Sequence, residues 1–226
     1  MLEKVYRALR RRVRGVRPRG ENWHRDAVGG HWDEVGKLQF DFLVARGLRP
    51  SHHLLDIGCG ALRGGVHFIR FLEPGHYVGI EHEPATLAAG RDVELVRAGL
   101  TDRRPHLILS GDFDLSSAPA SLRFDFMLAQ SLFTHLDPAM IERCLRRVLP
   151  WLAHGGAFYA TFHESRDERV HAGKPHRWRP DERRGAKYPR RLFEDLARRV
   201  GADVEYIGSW GHPRDQKMLA FRLPAS

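Results

Sequence analysis

The chain has 226 residues, of which 42% are hydrophobic and 29% charged, a composition that suits one folded domain and excludes a wholly disordered chain. It contains no apolar run long enough to cross a bilayer. The formal net charge of +9 would suit a nucleic-acid binder, but residues 1–20 carry +7, residues 166–191 carry +6, and the rest of the chain carries −4. The predicted globular body is therefore slightly acidic and bears two basic segments.

The first basic segment has apolar residues at helical spacing from Leu2 to Val13, with a basic opposite face. This pattern favours a solvated leader helix, with a contact to lipid or nucleic acid as the alternative. The segment has no apolar core or cleavage site of a secretory signal, and the two cysteines, Cys59 and Cys144, are too few for a disulfide framework. We expect a cytoplasmic protein with a basic leader at residues 1–27 and a folded domain at residues 28–226.

Amphipathic helical segments alternate with short apolar runs through most of the domain. A helix is predicted from His31 to Gly47, where glycine supplies the stop, and further helices are predicted near residues 62–72, 84–99 and 139–152. The apolar runs predict strands at His53–Ile57, Tyr77–Ile80, Leu107–Leu109, Phe124–Ala129 and Ala157–Phe162. Short strands buried on both faces and separated by helices indicate an α/β fold with a parallel sheet between two helical layers.

The end of the chain follows a different pattern. Two β-like runs, Val204–Trp210 and Gln216–Leu223, are joined by only five turn residues. A connection this short permits an antiparallel hairpin and excludes a crossover helix. The basic segment that precedes them is too polar for the core, so we expect a substrate-side insertion at about residues 163–188.

The most informative residues follow the first strand, in the order Asp56-Ile57-Gly58-Cys59-Gly60-Ala61-Leu62-Arg63. A strand, a glycine turn and a helix form a nucleotide-binding corner, because the backbone can approach a ligand closely there and the helix N-terminus offers N–H groups. Asp56 would repel the pyrophosphate of a dinucleotide but attract the ammonium and sulfonium groups of S-adenosylmethionine. The motif therefore favours S-adenosylmethionine as the cofactor.

Polar residues also follow the next three strands. Glu81 closes the second strand, 21 residues after Gly60, and can accept hydrogen bonds from both ribose hydroxyls. After the third strand, Asp112 can accept from the adenine amino group while Phe113 covers a ring face. Gln130 follows the fourth strand at the same predicted sheet edge. Together the four strand ends suit one adenosyl ligand.

Over about residues 28–222 these motifs resemble the class I S-adenosylmethionine-dependent methyltransferase family. Leu54–Gly60 is similar to its first motif, Glu81 to its acidic second-strand position, Gly111–Phe113 to its third motif and Phe124–Leu136 to its fourth. The resemblance implies a Rossmann-like, seven-stranded, mostly parallel sheet with helices on both faces and an antiparallel C-terminal hairpin. It also implies cofactor contacts at Asp56, Gly58, Gly60, Glu81, Asp112 and Gln130.

Three further residues complete the predicted cofactor site. Cys59 contributes its backbone N–H in the glycine turn, and Phe113 contributes its ring. Leu62, which is not a predicted contact, stands where the family commonly has its third glycine. Arg63, the next residue, would either hold the methionine carboxylate or clamp the region of Asp56.

Methyl transfer from a sulfonium is an in-line displacement, so positioning can supply much of the catalysis and a base is needed only where the acceptor loses a proton. His135, after the fourth strand, and His163, after the fifth, are the catalytic candidates. The alternative for His135 is a capping or packing role. No cluster of Cys, His and acidic residues has metal-ligand spacing, so no metal is expected.

The predicted acceptor is a small molecule that is methylated on O, N or C. The arginines of residues 166–191 favour an anionic acceptor if that segment folds over the pocket. The alternative is a nucleic-acid methyltransferase, with RNA as the substrate, that grips phosphates with its basic segments. Against it, the chain reads Ala129-Gln130-Ser131-Leu132 after the fourth strand, where many base-methylating enzymes carry an Asn/Asp-Pro-Pro-Tyr motif. A cofactor-binding module without catalysis is a third hypothesis.

Overall fold

The computed structural model describes residues 20–167 and 185–224. The predicted leader helix at Leu2–Val13 and most of the predicted basic insertion lie outside the described residues.

The described chain begins with helices and then alternates between strands and helices. The first elements are α1 (Trp23–Ala27), α2 (Trp32–Ala45), β1 (Leu54–Ile57), α3 (Gly65–Phe71), β2 (Tyr77–Glu81) and α4 (Pro84–Ala89). A π-helical turn (Gly90–Glu94) continues α4 into α5 (Leu95–Ala98), and a 3-10 turn (Thr101–Arg103) precedes β3 (His106–Leu109). The second half contains β4 (Phe124–Ala129), α6 (Pro138–Val148), a 3-10 turn (Leu149–Trp151), β5 (Leu152–Glu164), β6 (Lys187–Tyr188), α7 (Arg190–Val200), β7 (Asp203–Ser209) and β8 (Lys217–Arg222).

The start of α6 shows how the local sequence determines an element boundary. The Asp137 side chain accepts a hydrogen bond from the backbone N–H of Met140 at 2.8 Å, and Pro138 occupies the first helical turn, where a missing N–H costs nothing. The helix ends at Val148 rather than near residue 152 as predicted, because Pro150 cannot donate the next helical hydrogen bond. The chain then enters β5 five residues earlier than the predicted Ala157.

The sheet has seven strands in the order β3-β2-β1-β4-β5-β8-β7, and the short β6 pairs separately with β5. The pairs β1–β2, β1–β4, β2–β3 and β4–β5 are parallel, while β8 is antiparallel to both β5 and β7. The predicted fold, a mostly parallel α/β sheet with an antiparallel C-terminal hairpin, is confirmed. The eighth, two-residue strand was not predicted.

Hydrophobic clusters cover both faces of the sheet. In β4, Met127 and Ala129 belong to one cluster, together with Ile141 of α6 and Phe193 of α7. Phe126 and Leu128 belong to the other cluster, which includes residues of α2 and α3 such as Leu43 and Phe68. Alternate residues of one strand therefore face opposite helical layers, as expected for a strand buried on both sides. Among the described helices, none is long and apolar enough to cross a membrane.

Candidate cofactor and acceptor site

The candidate site lies at the edge of the sheet where the parallel strands end. Because β1, β2, β4 and β5 run in the same direction, the residues at their C-terminal ends meet at this edge: Gly58, Glu81, Gln130 and His163. The turn between β7 and β8 joins them, since Phe162 of β5 pairs with Lys217 at the start of β8. The fold thus gathers most of the predicted site residues on one edge.

The glycine turn after β1 needs residues without side chains. Gly58 and Gly60 have φ angles of +73° and +58°, and a Cβ on Gly60 would lie 2.7 Å from Cγ1 of Val28. The N–H groups of Gly58 and Cys59 donate to the Ile80 carbonyl at 2.8 and 3.0 Å. Burial raises the pKa of the Cys59 thiol well above its ordinary value, so the thiol stays protonated at neutral pH.

Leu62, which stands where the family usually has glycine, adopts a positive φ of +68°. A residue in this conformation cannot begin a helix, so α3 starts at Gly65 and not near residue 62 as predicted. The turn is therefore longer than the sequence indicated, and it carries Arg63 at its far end.

Asp56 lies beneath the glycine turn and is only 3% exposed. Its Oδ2 accepts a hydrogen bond from the Tyr77 hydroxyl at 2.7 Å, a partner that sequence reasoning missed. Burial raises the pKa of Asp56 to about 6, against a smaller opposing effect of this hydrogen bond and of Arg63. The Tyr77 hydroxyl therefore holds the carboxylate within electrostatic reach of Arg63 and Glu81.

Glu81 is buried at the end of β2 with its carboxylate fixed by the backbone. It accepts hydrogen bonds from the N–H groups of Gly60, His82 and Glu83 at 3.0, 2.9 and 2.9 Å. Burial alone would raise its pKa, but the His82 side chain and these N–H groups together hold the pKa of Glu81 below its ordinary value. The result is an ionised acceptor anchored beside the glycine turn.

Asp112 and Phe113, the predicted adenine-binding pair, have different environments in the structure. The Asp112 carboxylate is half exposed beyond β3, with Nη2 of Arg147 at 3.3 Å. Phe113 has a positive φ of +65°, and its ring belongs to the hydrophobic core, where it is 7% exposed. Its ring is therefore largely buried, and its contact with the adenine ring stays a prediction.

Gln130 joins a buried polar network that connects the ends of β4, β5 and β8. Its Nε2 donates to Oε1 of Gln216 at 3.2 Å and to Oγ of Ser131 at 3.0 Å. Thr161 Oγ1 also donates to Gln216, at 2.8 Å. The Oε1 atom of Gln130 is buried without a hydrogen-bond partner in the described chain. Sequence reasoning missed Thr161 and Gln216, which become neighbours of this part of the chain only through the sheet register.

An N-terminal arm (residues 22–31) lies over the glycine turn. Glu94 anchors its helix, because the buried carboxylate contacts Nε2 of His24 at 2.5 Å and two nitrogens of Arg25, each at 2.8 Å. Two further arginines hold the backbone that follows. Arg63 donates to the carbonyls of Val28 and Gly30 at 2.9 and 3.0 Å, and Arg214 donates to the Gly29 carbonyl at 2.6 Å. The arm covers the predicted cofactor position.

Arg63 has donors that the arm does not use. The side chain is 9% exposed, and its Nε is buried without a hydrogen-bond partner among the described residues. Burial and the nearby charge of Arg214 lower the pKa of Arg63 to about 10, so it stays cationic at neutral pH. A buried cation with an unused N–H group suits a carboxylate ligand.

The two catalytic candidates have different environments. His135 is exposed in the turn after β4, whereas His163 is half-buried at the end of β5. Burial, Lys187 and Arg214 lower the pKa of His163, so its ring is neutral at pH 7 and able to accept a proton. His212, in the turn between β7 and β8, lies near His163 and has a pKa lowered to about 4, mainly by burial and then by Arg63 and Arg214. Among the described residues, no group of three His, Cys, Asp or Glu side chains could hold a metal ion.

No protein-family model matches the chain. Solved structures do share its fold. A methyltransferase from Clostridium acetobutylicum ATCC 824 has a TM-score of 0.63 at 12% identity over 88% of this chain and 94% of that one. Magnesium protoporphyrin IX methyltransferase from Synechocystis PCC 6803 gives 0.60 at 12% identity over 83% and 80%. The glycopeptide N-methyltransferase MtfA with bound S-adenosyl-L-methionine gives 0.62 at 19% identity over 84% and 94%. The chain therefore has the Rossmann-like fold of the class I S-adenosylmethionine-dependent methyltransferases that its motifs resemble.

Proposed function

We propose that this protein is an enzyme that transfers the methyl group of S-adenosylmethionine to an O, N or C atom of a small molecule. The observation that carries the proposal is the convergence of three features at one corner of the sheet. These are the glycine turn, the ionised carboxylate of Glu81 and the buried amide oxygen of Gln130 that has no hydrogen-bond partner in the described chain. A cationic, hydroxyl-bearing ligand would satisfy all three.

The residues fit the cofactor part by part. Glu81 would accept hydrogen bonds from the ribose hydroxyls, and Gln130 Oε1 would accept one from the ammonium group. The Arg63 Nε–H would donate to the methionine carboxylate, and Asp112 would accept from the adenine amino group. Asp56, which is already bonded to Tyr77, would act through its charge and by supporting Gly58, Cys59 and Gly60.

The bound cofactor would supply an electrophilic methyl group on a sulfonium sulfur. The protein must then hold the acceptor in line and keep water out, which is a task for the arm and for the residues beyond β4 and β5. His163 is the stronger candidate for removing a proton from the acceptor, because its ring is half-buried and neutral at pH 7. His135 is the second candidate.

One observation supports a small acceptor. Proteins of the same fold act on a porphyrin and on a glycopeptide, according to their names. The alternative of RNA methylation depends on the basic segments 1–20 and 166–191, which lie largely outside the described residues. A cytoplasmic location stays a prediction, consistent with the buried free thiols of Cys59 and Cys144.

Calorimetric titration with S-adenosylhomocysteine tests the cofactor assignment through Glu81→Gln. This change removes the charge and leaves a single acceptor oxygen for the backbone N–H groups and the ribose. We expect a Kd at least about tenfold weaker, since a hydrogen bond to a charged group is worth roughly 1.5–3 kcal/mol. The matched control is Glu205→Gln, on an exposed carboxylate of β7 that pairs with Arg222 at 2.7 Å. Equal affinity in the Glu81 variant and the wild type would contradict the assignment.

A further inference from the structure

Four basic side chains collect at the end of β5 and in the turn before β8. His163 and Lys187 are register partners in the parallel pair β5–β6, so their side chains leave the same face. His212 and Arg214 belong to the turn before β8. The antiparallel register sets Phe162 opposite Lys217, which brings this turn alongside His163. We call these four residues the basic cluster.

Nearby carboxylates in the described chain do not neutralise the basic cluster. Asp215 is 81% exposed and pairs with Lys217 at 2.5 Å. Glu164 accepts the hydroxyl hydrogen of Tyr206 at 2.8 Å. Within residues 20–167 and 185–224, neither Lys187 nor Arg214 forms a salt bridge. The local charge is therefore positive and uncompensated by this part of the protein.

His212 adds a hydrogen-bond donor, on a largely buried ring, to these charges. The residue is 9% exposed, its ring stacks on Trp210 at a centroid distance of 5.5 Å, and its Nδ1 accepts the backbone N–H of Arg214 at 3.2 Å. With Nδ1 acting as an acceptor, the neutral ring carries its hydrogen on Nε2. This Nε2–H has no acceptor among the described residues. Arg63 and Arg214 beside it, together with burial, keep the ring neutral by lowering its pKa.

The cofactor does not account for the basic cluster. Arg63, at the glycine turn after β1, already has an unused N–H group for the methionine carboxylate. His163 and Lys187 lie two strands further along the sheet, beyond β4, whereas Arg214 also contacts the arm through the Gly29 carbonyl. The position of the cluster is on the side from which an acceptor would approach the methyl group.

We propose that His163, Lys187, His212 and Arg214 form an oxyanion-binding subsite that recognises a carboxylate or phosphate group on the methyl acceptor. This inference rests on the proposed function and assigns the substrate class: a small anionic metabolite. Lys187 and Arg214 supply charge, the His212 Nε2–H supplies a directed hydrogen bond, and His163 borders the subsite. The bound anion would fix the orientation of the acceptor, and its nucleophilic atom would lie nearer to the cofactor.

Nuclear magnetic resonance of the full chain with ¹⁵N-labelled histidine, saturated with S-adenosylhomocysteine, tests the subsite. The probes are acetate, inorganic phosphate and the neutral isostere acetamide. We expect saturable shifts of the His163 and His212 ring signals with both anions and none with acetamide. The tighter of the two anions identifies the acceptor group as carboxylate or phosphate.

Anion binding is compared in two variants that each remove one positive charge. Lys187→Gln, an exposed residue of the cluster, should weaken anion binding at least about fivefold and leave S-adenosylhomocysteine affinity unchanged. Arg198→Gln, on an exposed arginine of α7 that pairs with Asp195 at 2.9 Å, should change neither.

The inference is overturned if acetamide shifts the same signals, if the anion shifts do not saturate, or if both variants weaken binding equally. Such a result with normal S-adenosylhomocysteine binding refutes the subsite alone. Absence of S-adenosylhomocysteine binding to the wild type refutes the proposed function itself.

Discussion

At the scale of single residues, the ionisation of Asp56 makes the stability of the fold depend on pH. The folded chain raises the pKa of this carboxyl from 3.8 to about 6, chiefly by burial. The folded state therefore holds the Asp56 proton more tightly than the unfolded state, and protonation stabilises the fold. This contribution is fully present below about pH 4 and is lost as the pH rises through 6. The contribution of His212 to folding stability depends on pH in the opposite direction. Its pKa is lowered to about 4, so this contribution is lost as the pH falls from 6.5 towards 4.

Asp56→Asn isolates the first of these effects, since asparagine keeps an oxygen for the Tyr77 hydroxyl and does not titrate. We expect the free energy of unfolding of the wild type, relative to that of the variant, to fall by about 2 kcal/mol between pH 4 and pH 7. Urea unfolding at several pH values measures the difference. Asp203→Asn, on an exposed residue of β7, is the control and should leave the difference from the wild type near zero. A pH-independent difference for the Asp56 variant would contradict the account.

The sequence predicted the position of a residue correctly where the strand pattern determines that position. Glu81 ends β2 and Gln130 directly follows β4, so the strand pattern alone placed them at the sheet edge. The partners of these residues were not predictable in the same way. The hydroxyl of Tyr77 reaches Asp56 across 21 residues, and Gln216 reaches Gln130 across 86 residues. Such contacts depend on strand register, which the spacing of apolar residues does not define.

At the scale of elements, the N-terminal arm is attached mainly through one buried carboxylate. Glu94 is 3% exposed and bonds to His24, Arg25 and Arg97, while the arm itself lies across the glycine turn. Ligand exchange at the turn requires the arm to move, because Val28 packs against Gly60. We therefore expect the stability of the arm to control access to the cofactor site.

Glu94→Gln should loosen the arm without unfolding the domain, because it removes the charge that holds His24 and Arg25. We expect amide hydrogen exchange in residues 22–31 to become at least about tenfold faster, as measured by mass spectrometry. Glu142→Gln is the matched control, since Glu142 pairs with Arg146 and Arg199 on α6 and α7, away from the arm. Unchanged exchange in the Glu94 variant, or an equal change in both variants, would show that Glu94 does not anchor the arm.

Element boundaries were harder to predict than element order. Hydrophobic periodicity gave every strand of the main sheet, since β1 to β5, β7 and β8 each have an apolar core. It predicted that α3 begins near residue 62, whereas α3 begins at Gly65, because apolar spacing cannot reveal the positive φ of Leu62. It also missed β6, whose two residues carry no periodic pattern.

At the scale of the whole molecule, charges of both signs meet at one edge of the sheet. The buried acidic residues Asp56 and Glu81 lie under and beside the glycine turn, where a cationic ligand would bind. The basic cluster lies at the end of β5, on the predicted acceptor side. The total charge of +9 therefore says little about function, whereas the position of each charge at the sheet edge suggests a role for it.

The central claim is that this corner binds S-adenosylmethionine rather than a dinucleotide. Calorimetric titration of the full chain with S-adenosylmethionine and, in parallel, with NAD tests it most directly. Because Asp56 and Glu81 attract a sulfonium and repel a pyrophosphate, we predict one molecule of S-adenosylmethionine bound per chain at micromolar concentration and no detectable binding of NAD. Tighter binding of NAD, or no binding of S-adenosylmethionine at millimolar concentration, would contradict the account.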